Sequence, residues 1–361
     1  MTTTLTHTPH ICITRPGQED FIAQEISLRG HADICSQLAP QVISLPSVHD
    51  AQIFAIPLCF ARQILPSAIP IREQSVSQWA EKIVAHAISN ERLLATGWKL
   101  HVFDPKTSET GEQYARARLV EERVMRILKA RRRSLLRALE SHDASCGTLV
   151  QVLCLSKEDG FISVTTDTHR ALYRSCLSAH RAGYVHIRDD KNPPSRAFKK
   201  LQEAEKIFGL SFSKGETAVD LGASPGGWTY VLNEAGLHIT ALDRSPLDPS
   251  LMTKTSVNWL KDNALTWTPP APVSWLVCDV ITTPENTRKI LTSWITNSLC
   301  EKFCVTVKCQ GAPAFDTIKD ILFFLKDHCS WFDAKQLTHN KNELTVCGHL
   351  GNNVTTSKRN H

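Results

Sequence analysis

The chain predicts an α/β protein: a mostly parallel sheet, covered by helices on both faces, preceded by an α+β amino-terminal half. Three observations carry this. Apolar strand patterns and amphipathic helix patterns alternate through the second half of the chain, the arrangement that builds parallel sheets. The first strand of that half runs through Ala218-Val-Asp-Leu-Gly-Ala-Ser-Pro-Gly-Gly-Trp228, from strand into glycine-rich turn into helix. The first half instead mixes short strands and helices without such alternation.

In chain order, residues 11–14 form a short strand closed by Arg15-Pro16-Gly17, and residues 19–28 carry helical spacing at Phe21, Ile22, Ile26 and Leu28. Residues 53–65 are apolar but interrupted by Pro57, and residues 100–103 make a strand before Asp104-Pro105. From Arg116 to Arg137, Val120, Val124, Ile127, Leu128, Leu135 and Leu139 recur at helical spacing, with a break expected near residues 131–134. Residues 149–155 and 161–165 alternate around Glu158-Asp159-Gly160, a hairpin signal. A polar, basic connector spans residues 166–194, and the domain boundary is placed in it near residue 178, giving domains 1–177 and 178–361.

The second half then reads as strands at residues 217–221, 238–242, 275–280 and 303–308, with helices at 197–208, 227–235, 285–298 and 315–327. Two late strands, at 334–337 and 344–348, close the sheet.

Composition sets limits. A length of 361 residues suits two domains. No run of eighteen apolar residues exists, so no membrane span is expected, and the first fifteen residues lack the basic start and apolar stretch of a secretory signal. None of the twelve cysteines forms Cys-x-x-Cys; Cys300, Cys304 and Cys309 come closest, without a second ligand pair. They read as buried thiols of a reducing cytoplasm, and no metal is implied. The net charge of +5 is mild, but residues 116–137 hold eight Arg and one Lys against Glu121 and Glu122. That face is either a phosphate-contacting surface or a solvated one.

The chemistry-bearing residues fall at the carboxyl ends of strands, where doubly wound sheets bind ligands. Asp220 ends the first strand of the second half, Asp243 the second, Asp279 the fourth and Lys308 the fifth, while Asp262 lies near the third in Trp259-Leu-Lys-Asp-Asn263. Asp243 and Asp262 suit either a cofactor ribose or a turn cap. A lysine after a buried strand needs a partner, and Asp279 on the neighbouring strand is the natural one. Pro193-Pro-Ser-Arg-Ala-Phe-Lys-Lys-Leu-Gln-Glu-Ala204 brings Lys200 in at a helix start, and Glu343 opens the last strand. The turn lacks the second glycine of Gly-x-Gly-x-x-Gly, which disfavours a dinucleotide and hence a dehydrogenase.

Asp-Leu-Gly-Ala-x-Pro-Gly-Gly-Trp resembles the S-adenosylmethionine loop of Rossmann-like RNA 2'-O-ribose methyltransferases. Ser-Arg-Ala-x-x-Lys-Leu, with the strand-end Asp and Lys and the strand-opening Glu, resembles the Lys-Asp-Lys-Glu tetrad of the FtsJ-type members. The tetrad carries over as Lys200, Asp279, Lys308 and Glu343. Arg15-Pro-Gly17, Phe60-Ala-Arg-Gln63, Pro194-Ser-Arg196, Trp228-Thr-Tyr230 and Glu343-Leu-Thr-Val346 are similar to the branch that methylates a cytidine of bacterial 23S rRNA.

The resemblance implies a class I methyltransferase domain with a seven-stranded sheet, preceded by a ferredoxin-like piece and a THUMP-type RNA-binding module. It implies S-adenosylmethionine as cofactor, with Asp220, Gly222, Ser224, Pro225, Gly226, Gly227, Trp228, Asp243, Asp262 and Asp279 around it, although Trp228 also suits helix packing. The partner it implies is 23S rRNA or a large-subunit assembly particle in the cytoplasm, with no membrane and no obligate protein partner. Lys308 would accept the hydroxyl proton or steer the hydroxyl lone pair; Lys200 would lower its pKa, while Asp279 and Glu343 would raise it. The chain departs from the pattern at Ser224, where cysteine is common, after Lys308 in Cys309-Gln-Gly-Ala-Pro313, and across residues 66–120. A ribosome-assembly factor with a vestigial methyltransferase fold is the rival reading.

Overall fold

The structure, a computed structural model, describes residues 8–31, 34–47, 50–95, 97–139, 148–165, 167–309 and 313–351. The chain divides into two compact units, Met1–His186 and Ile187–His361. The division falls after His186 rather than at residue 178 because the intervening chain packs into the first unit. Gln63 Nε2 donates to the Ser178 carbonyl at 3.1 Å, the Gln63 side chain accepts from the Ser178 amide at 2.8 Å, and Ala182 is buried with Ile11, Leu65 and Phe103.

The first unit holds two four-stranded sheets. One is antiparallel in the order β2-β3-β1-β4, from β1 (His10–Ile13), β2 (Ser36–Ala39), β3 (Val42–Leu45) and β4 (Gln63–Leu65). With the helix Glu19–Ser27 after β1 and the single turn Asp50–Ile53 before β4, the chain follows the ferredoxin-like strand–helix–strand–strand–helix–strand course. The other sheet runs β5-β8-β7-β6, from β5 (Ile69–Arg72), β6 (Trp98–Phe103), β7 (Thr148–Cys154) and β8 (Asp159–Thr165). There β6 and β7 are parallel and the other pairs antiparallel, including the expected β7–β8 hairpin.

Two helices share a core with this second sheet. Val76–Ser89 contributes Trp79, Ile83 and Ala87, and Ala115–Arg131 contributes Val120, Val124 and Leu128, against Leu100, Val150 and Val152. The basic helix stops where expected: Arg132 takes φ −143° and ψ 63°, and a short helix restarts at Arg133–Ala138.

The second unit is one seven-stranded sheet ordered β11-β10-β9-β12-β13-β15-β14. Its strands are β9 (Thr217–Leu221), β10 (His238–Leu242), β11 (Val257–Leu260), β12 (Val273–Cys278), β13 (Cys300–Lys308), β14 (Trp331–Lys335) and β15 (Glu343–His349). The first five in that order are parallel, and β15 and β14 add on antiparallel. From β9 the chain steps one way through the helix Gly227–Glu234 to β10, and from β12 the other way through the helix Pro284–Thr296 to β13. Right-handed crossovers in opposite directions place their helices on opposite faces and open a crevice at the carboxyl ends of β9 and β12. The edge strand β14 starts earlier than expected because its register against β15 pairs Trp331 with His349 and Lys335 with Thr345.

Cys12, Cys59, Cys154, Cys176, Cys278, Cys300, Cys304 and Cys347 are buried. Burial pushes the thiols of Cys154, Cys278 and Cys300 up to about 12, so they are chemically quiet at neutral pH.

Candidate active site

The four tetrad residues reach one point from four elements. Lys308 ends β13 and is paired across the antiparallel ladder with Glu343, the first residue of β15. Asp279 follows β12 directly, and Lys200 is the third residue of the helix Phe198–Phe208. That helix buries Phe198, Leu201, Ala204 and Phe208 on one face and ends at Gly209 in the left-handed region, so its packing fixes where its first turn points.

The side chains form a closed ring of alternating charge. Lys200 Nζ lies 2.9 Å from Asp279 Oδ2 and also bonds Glu343 Oε1. Lys308 Nζ lies 3.3 Å from Asp279 Oδ1 and also bonds Glu343 Oε2. All four side chains are between 5% and 15% exposed, so each charge depends on its neighbours rather than on water. Burial pulls the Lys308 ammonium toward a lower pKa, but Asp279 and Glu343 outweigh it and hold it above the ordinary lysine range. Burial pushes Glu343 up, but its bonds to Lys200 and Lys308 hold it below the usual carboxylate range.

Three residues that sequence reasoning passed over support the ring. Thr306 Oγ1 donates to Asp279 Oδ1 at 2.7 Å; it sits two residues before Lys308, hence on the same face of β13. Asn340 Nδ2 donates to Glu343 Oε1 at 3.5 Å while its own oxygen accepts from Thr345 Oγ1 at 3.1 Å. Glu203, one turn after Lys200, is 1% exposed and accepts from the amides of Thr338 and His339 at 2.7 and 2.9 Å, tying down the loop ahead of Glu343.

The glycine-rich turn leaves β9 beside this ring. Gly222 has φ +77°, and a Cβ there would meet Val280 at 2.7 Å, so only glycine lets the turn pass β12. Gly226 has φ +116°, and a Cβ would run into Leu251. The helix Gly227–Glu234 starts at Gly226 without a side-chain cap, which leaves first-turn amides of Gly227 and Trp228 to offer an anion. Ser224 donates its amide to Asp243 Oδ2 at 3.0 Å and its hydroxyl to the Pro246 carbonyl at 2.9 Å, and the Pro225 carbonyl accepts from the Asp248 amide at 3.0 Å.

The expected cofactor residues do not all stand alike. Asp243 Oδ2 holds the glycine turn, accepting from the Ser224 amide at 3.0 Å, while Oδ1 accepts from the Ser245 amide at 2.9 Å, and each oxygen keeps a lone pair for a hydroxyl donor. Asp262 is exposed and accepts from the Asn263 amide at 2.6 Å. Asp220 is fully buried beneath the turn, accepting from Thr229 Oγ1 at 2.6 Å; burial pushes it up to about 7 against that bond, with Asp279 and Asp243 adding to the rise. Trp228 is 3% exposed, and its indole N–H donates to the Ala197 carbonyl at 3.0 Å, so its contact is helix packing. Residues 310–312, in the stretch after Lys308, lie outside the described residues.

The uncapped helix start, the narrow turn and a strand-end carboxylate with free lone pairs fit the carboxylate and ribose of S-adenosylmethionine. In the first unit, Arg118, Arg123, Arg126, Lys129, Arg132, Arg133 and Arg137 are exposed and meet no carboxylate among the described residues, whereas Arg131 pairs with Glu81 and Arg181 with Glu121.

Residues 193–321 match the family described as FtsJ-like methyltransferase. The ribosomal RNA large subunit methyltransferase M of Idiomarina loihiensis is 25% identical over 303 residues, covering 80% of this chain and 79% of that protein. The protein of the same name from Halorhodospira halophila is 34% identical over 168 residues, covering 46% of this chain and 50% of that protein. The higher identity thus spans about half the length of that relative. A methyltransferase domain needs a methyl donor, and S-adenosylmethionine is the donor this match implies. The tetrad residues Lys200, Asp279 and Lys308 and the whole glycine-rich turn fall inside the span, residues 193–321, that matches the FtsJ-like methyltransferase family.

Proposed function

We infer that the protein transfers a methyl group from S-adenosylmethionine to the 2'-oxygen of a cytidine ribose in 23S ribosomal RNA, acting in the cytoplasm on the RNA or a large-subunit assembly particle. The observation that carries the reading is the closed Lys200–Asp279–Lys308–Glu343 ring beside an uncapped helix start. The names of the relatives support ribosomal RNA as the substrate. An intact, mutually satisfied buried ring argues against a vestigial site, because unused buried charges cost stability.

S-adenosylmethionine supplies a methyl group on a sulfonium that is already a strong donor. The chain's task is alignment and removal of one proton. The Gly227 and Trp228 amides suit the donor's carboxylate, and Asp243 suits its ribose. Lys308 is held as an ammonium by Asp279 and Glu343, which favours the steering role over the base role. Its Nζ–H donates to the 2'-oxygen and fixes one lone pair toward the methyl carbon. As the O–C bond forms the hydroxyl proton becomes strongly acidic, and Glu343, beside Lys308, is the carboxylate placed to receive it or pass it to water. Lys200 and Asp279 hold the other side of the ring. In the first unit, the ferredoxin-like sheet and the basic helix support a THUMP-type RNA-docking role for residues 1–177.

The test uses labelled S-adenosylmethionine and 23S rRNA from cells lacking the modification. Label is expected on one ribose 2'-oxygen, falling at least about 100-fold with Lys308→Ala while cofactor affinity stays within about twofold. Label on a base, or undiminished transfer by the variant, would sink the reading.

A further inference from the structure

A cavity of about 630 Å³ opens on Lys308 and Glu343 of the tetrad. Its walls come from residues 281–285, Lys308 and residues 341–343, and the turn residues 222–227 and Asp243 take no part in it. Methyl transfer is an in-line displacement, so donor and acceptor approach the migrating carbon from opposite sides. With the donor site at the turn, a cavity that reaches Lys308 and shares no wall with the turn suits the acceptor. Its size is that of a site for one small ligand rather than for a helix.

At its lip stands Ile281, 94% exposed, while Tyr114, the next most exposed large apolar side chain described, is 48% exposed. Scattered exposed apolar residues are ordinary, but this one is held in place from both sides. Two residues earlier, Asp279 is locked into the ring; two residues later, Thr283 caps the helix Pro284–Thr296, accepting from the Asn286 amide at 3.3 Å. The backbone is pinned and the side chain is offered to whatever enters.

The cavity floor holds Lys308 and Glu343, 13% and 5% exposed. The flat, shallow minor groove of an A-form helix cannot lower a ribose into such a recess, but a nucleotide drawn out of its stack can. Among the described residues no aromatic ring lines the cavity to stack on a base, and aliphatic side chains are a known means of prying base steps apart.

We propose that this cavity is the acceptor subsite for a single nucleotide extruded from its RNA stack, and that Ile281 is the wedge that fills the gap it leaves. This rests on the 2'-O-methyltransfer reading. The side chain is a positioning group: it touches the neighbouring bases and not the reacting atoms.

The test compares two synthetic RNAs carrying the nucleotide the enzyme methylates, once unpaired in a loop and once inside a helix. Ile281→Ala should lose about tenfold more kcat/KM on the paired RNA than on the loop RNA, with S-adenosylmethionine affinity and Tm unchanged, and Ile281→Leu should restore the ratio. Equal losses on the two RNAs, or none on either, overturn the wedge. A second measurement separates the subsite from the reaction. The photoreactive variant Ile281→p-benzoylphenylalanine should cross-link bound RNA next to the methylated nucleotide, also in a Lys308→Ala background. Absence of any RNA cross-link overturns the subsite even if methyl transfer is intact. A cross-link to one nucleotide without ribose methylation keeps the subsite and overturns the reaction.

Discussion

Asp220 is a carboxyl buried under the glycine turn, accepting a hydrogen bond from Thr229. The strand pattern put it at the end of β9, where a carboxylate would serve a cofactor, yet it lies under the turn with Thr229 as its partner. The carboxyl is pushed up to about 7, by burial first and then by the charges of Asp279 and Asp243. An unfolded Asp titrates near ~4. Between about 4 and 7, therefore, the folded chain keeps a proton that the unfolded chain has lost, and this group costs stability as pH rises through that window. The cost is complete above pH 7 and absent below about 4. Asp220→Asn keeps an acceptor for Thr229 without the charge. Its Tm relative to the wild type is expected to rise from pH 5 to pH 8 by thermal unfolding; a difference that stays flat across that range would show that Asp220 does not carry the buried charge.

At the scale of an element, the basic helix Ala115–Arg131 has one face in the core and the other covered with cations that no carboxylate among the described residues offsets. Arg131 is the exception, because Glu81 holds it at 3.0 Å. The triple variant Arg123→Glu, Arg126→Glu, Arg132→Glu is expected to weaken RNA binding and to lower the slope of log Kd against log salt by about 2. An unchanged slope, measured by filter binding across a salt series, would make the face merely solvated. This helix was legible because its apolar positions recur every three or four residues and its break has a run of three arginines. The helix Val76–Ser89 was not read, although Trp79, Ala80, Ile83, Val84 and Ala87 keep the same spacing and Ser75 and Gln78 form a capping box. The short strands β2, β3 and β5 carry no such signal: four residues in an antiparallel sheet are defined by their partners, as β2 is by its register on β3. In the second unit the strand ends were legible, and with them Asp279 and Lys308, since a charge closing an apolar run stands out; Lys200, near a helix start, and Glu343, opening a strand, came with the resemblance to the FtsJ-type tetrad. Thr306 and Asn340 were not, because a threonine within a strand and an asparagine in a loop are ordinary until their partners are known.

At the scale of the whole molecule, the first unit holds two sheets and the second holds one, and the candidate site lies in the second. The glycine turn, the ring and the 630 Å³ cavity all belong to Ile187–His361, while the exposed cations of the basic helix belong to Met1–His186. The tetrad and turn residues all lie in Ile187–His361, so a chain starting at Ile187 is expected to fold and to bind S-adenosylmethionine within about twofold of the full chain. RNA is a different matter. A long anionic substrate held by one unit is presented to the other at high effective concentration, and losing the docking unit removes that gain without touching the reacting atoms. The 187–361 fragment should therefore lose at least about 100-fold in kcat/KM on long RNA. On a short single-stranded oligonucleotide, which reaches only the cavity, it should lose far less. Calorimetry for the cofactor and initial rates on the two RNAs measure both parts. Equal losses on long and short RNA would mean that the first unit shapes the catalytic unit rather than docking the substrate, and no loss on either would leave the basic helix without a part in the reaction.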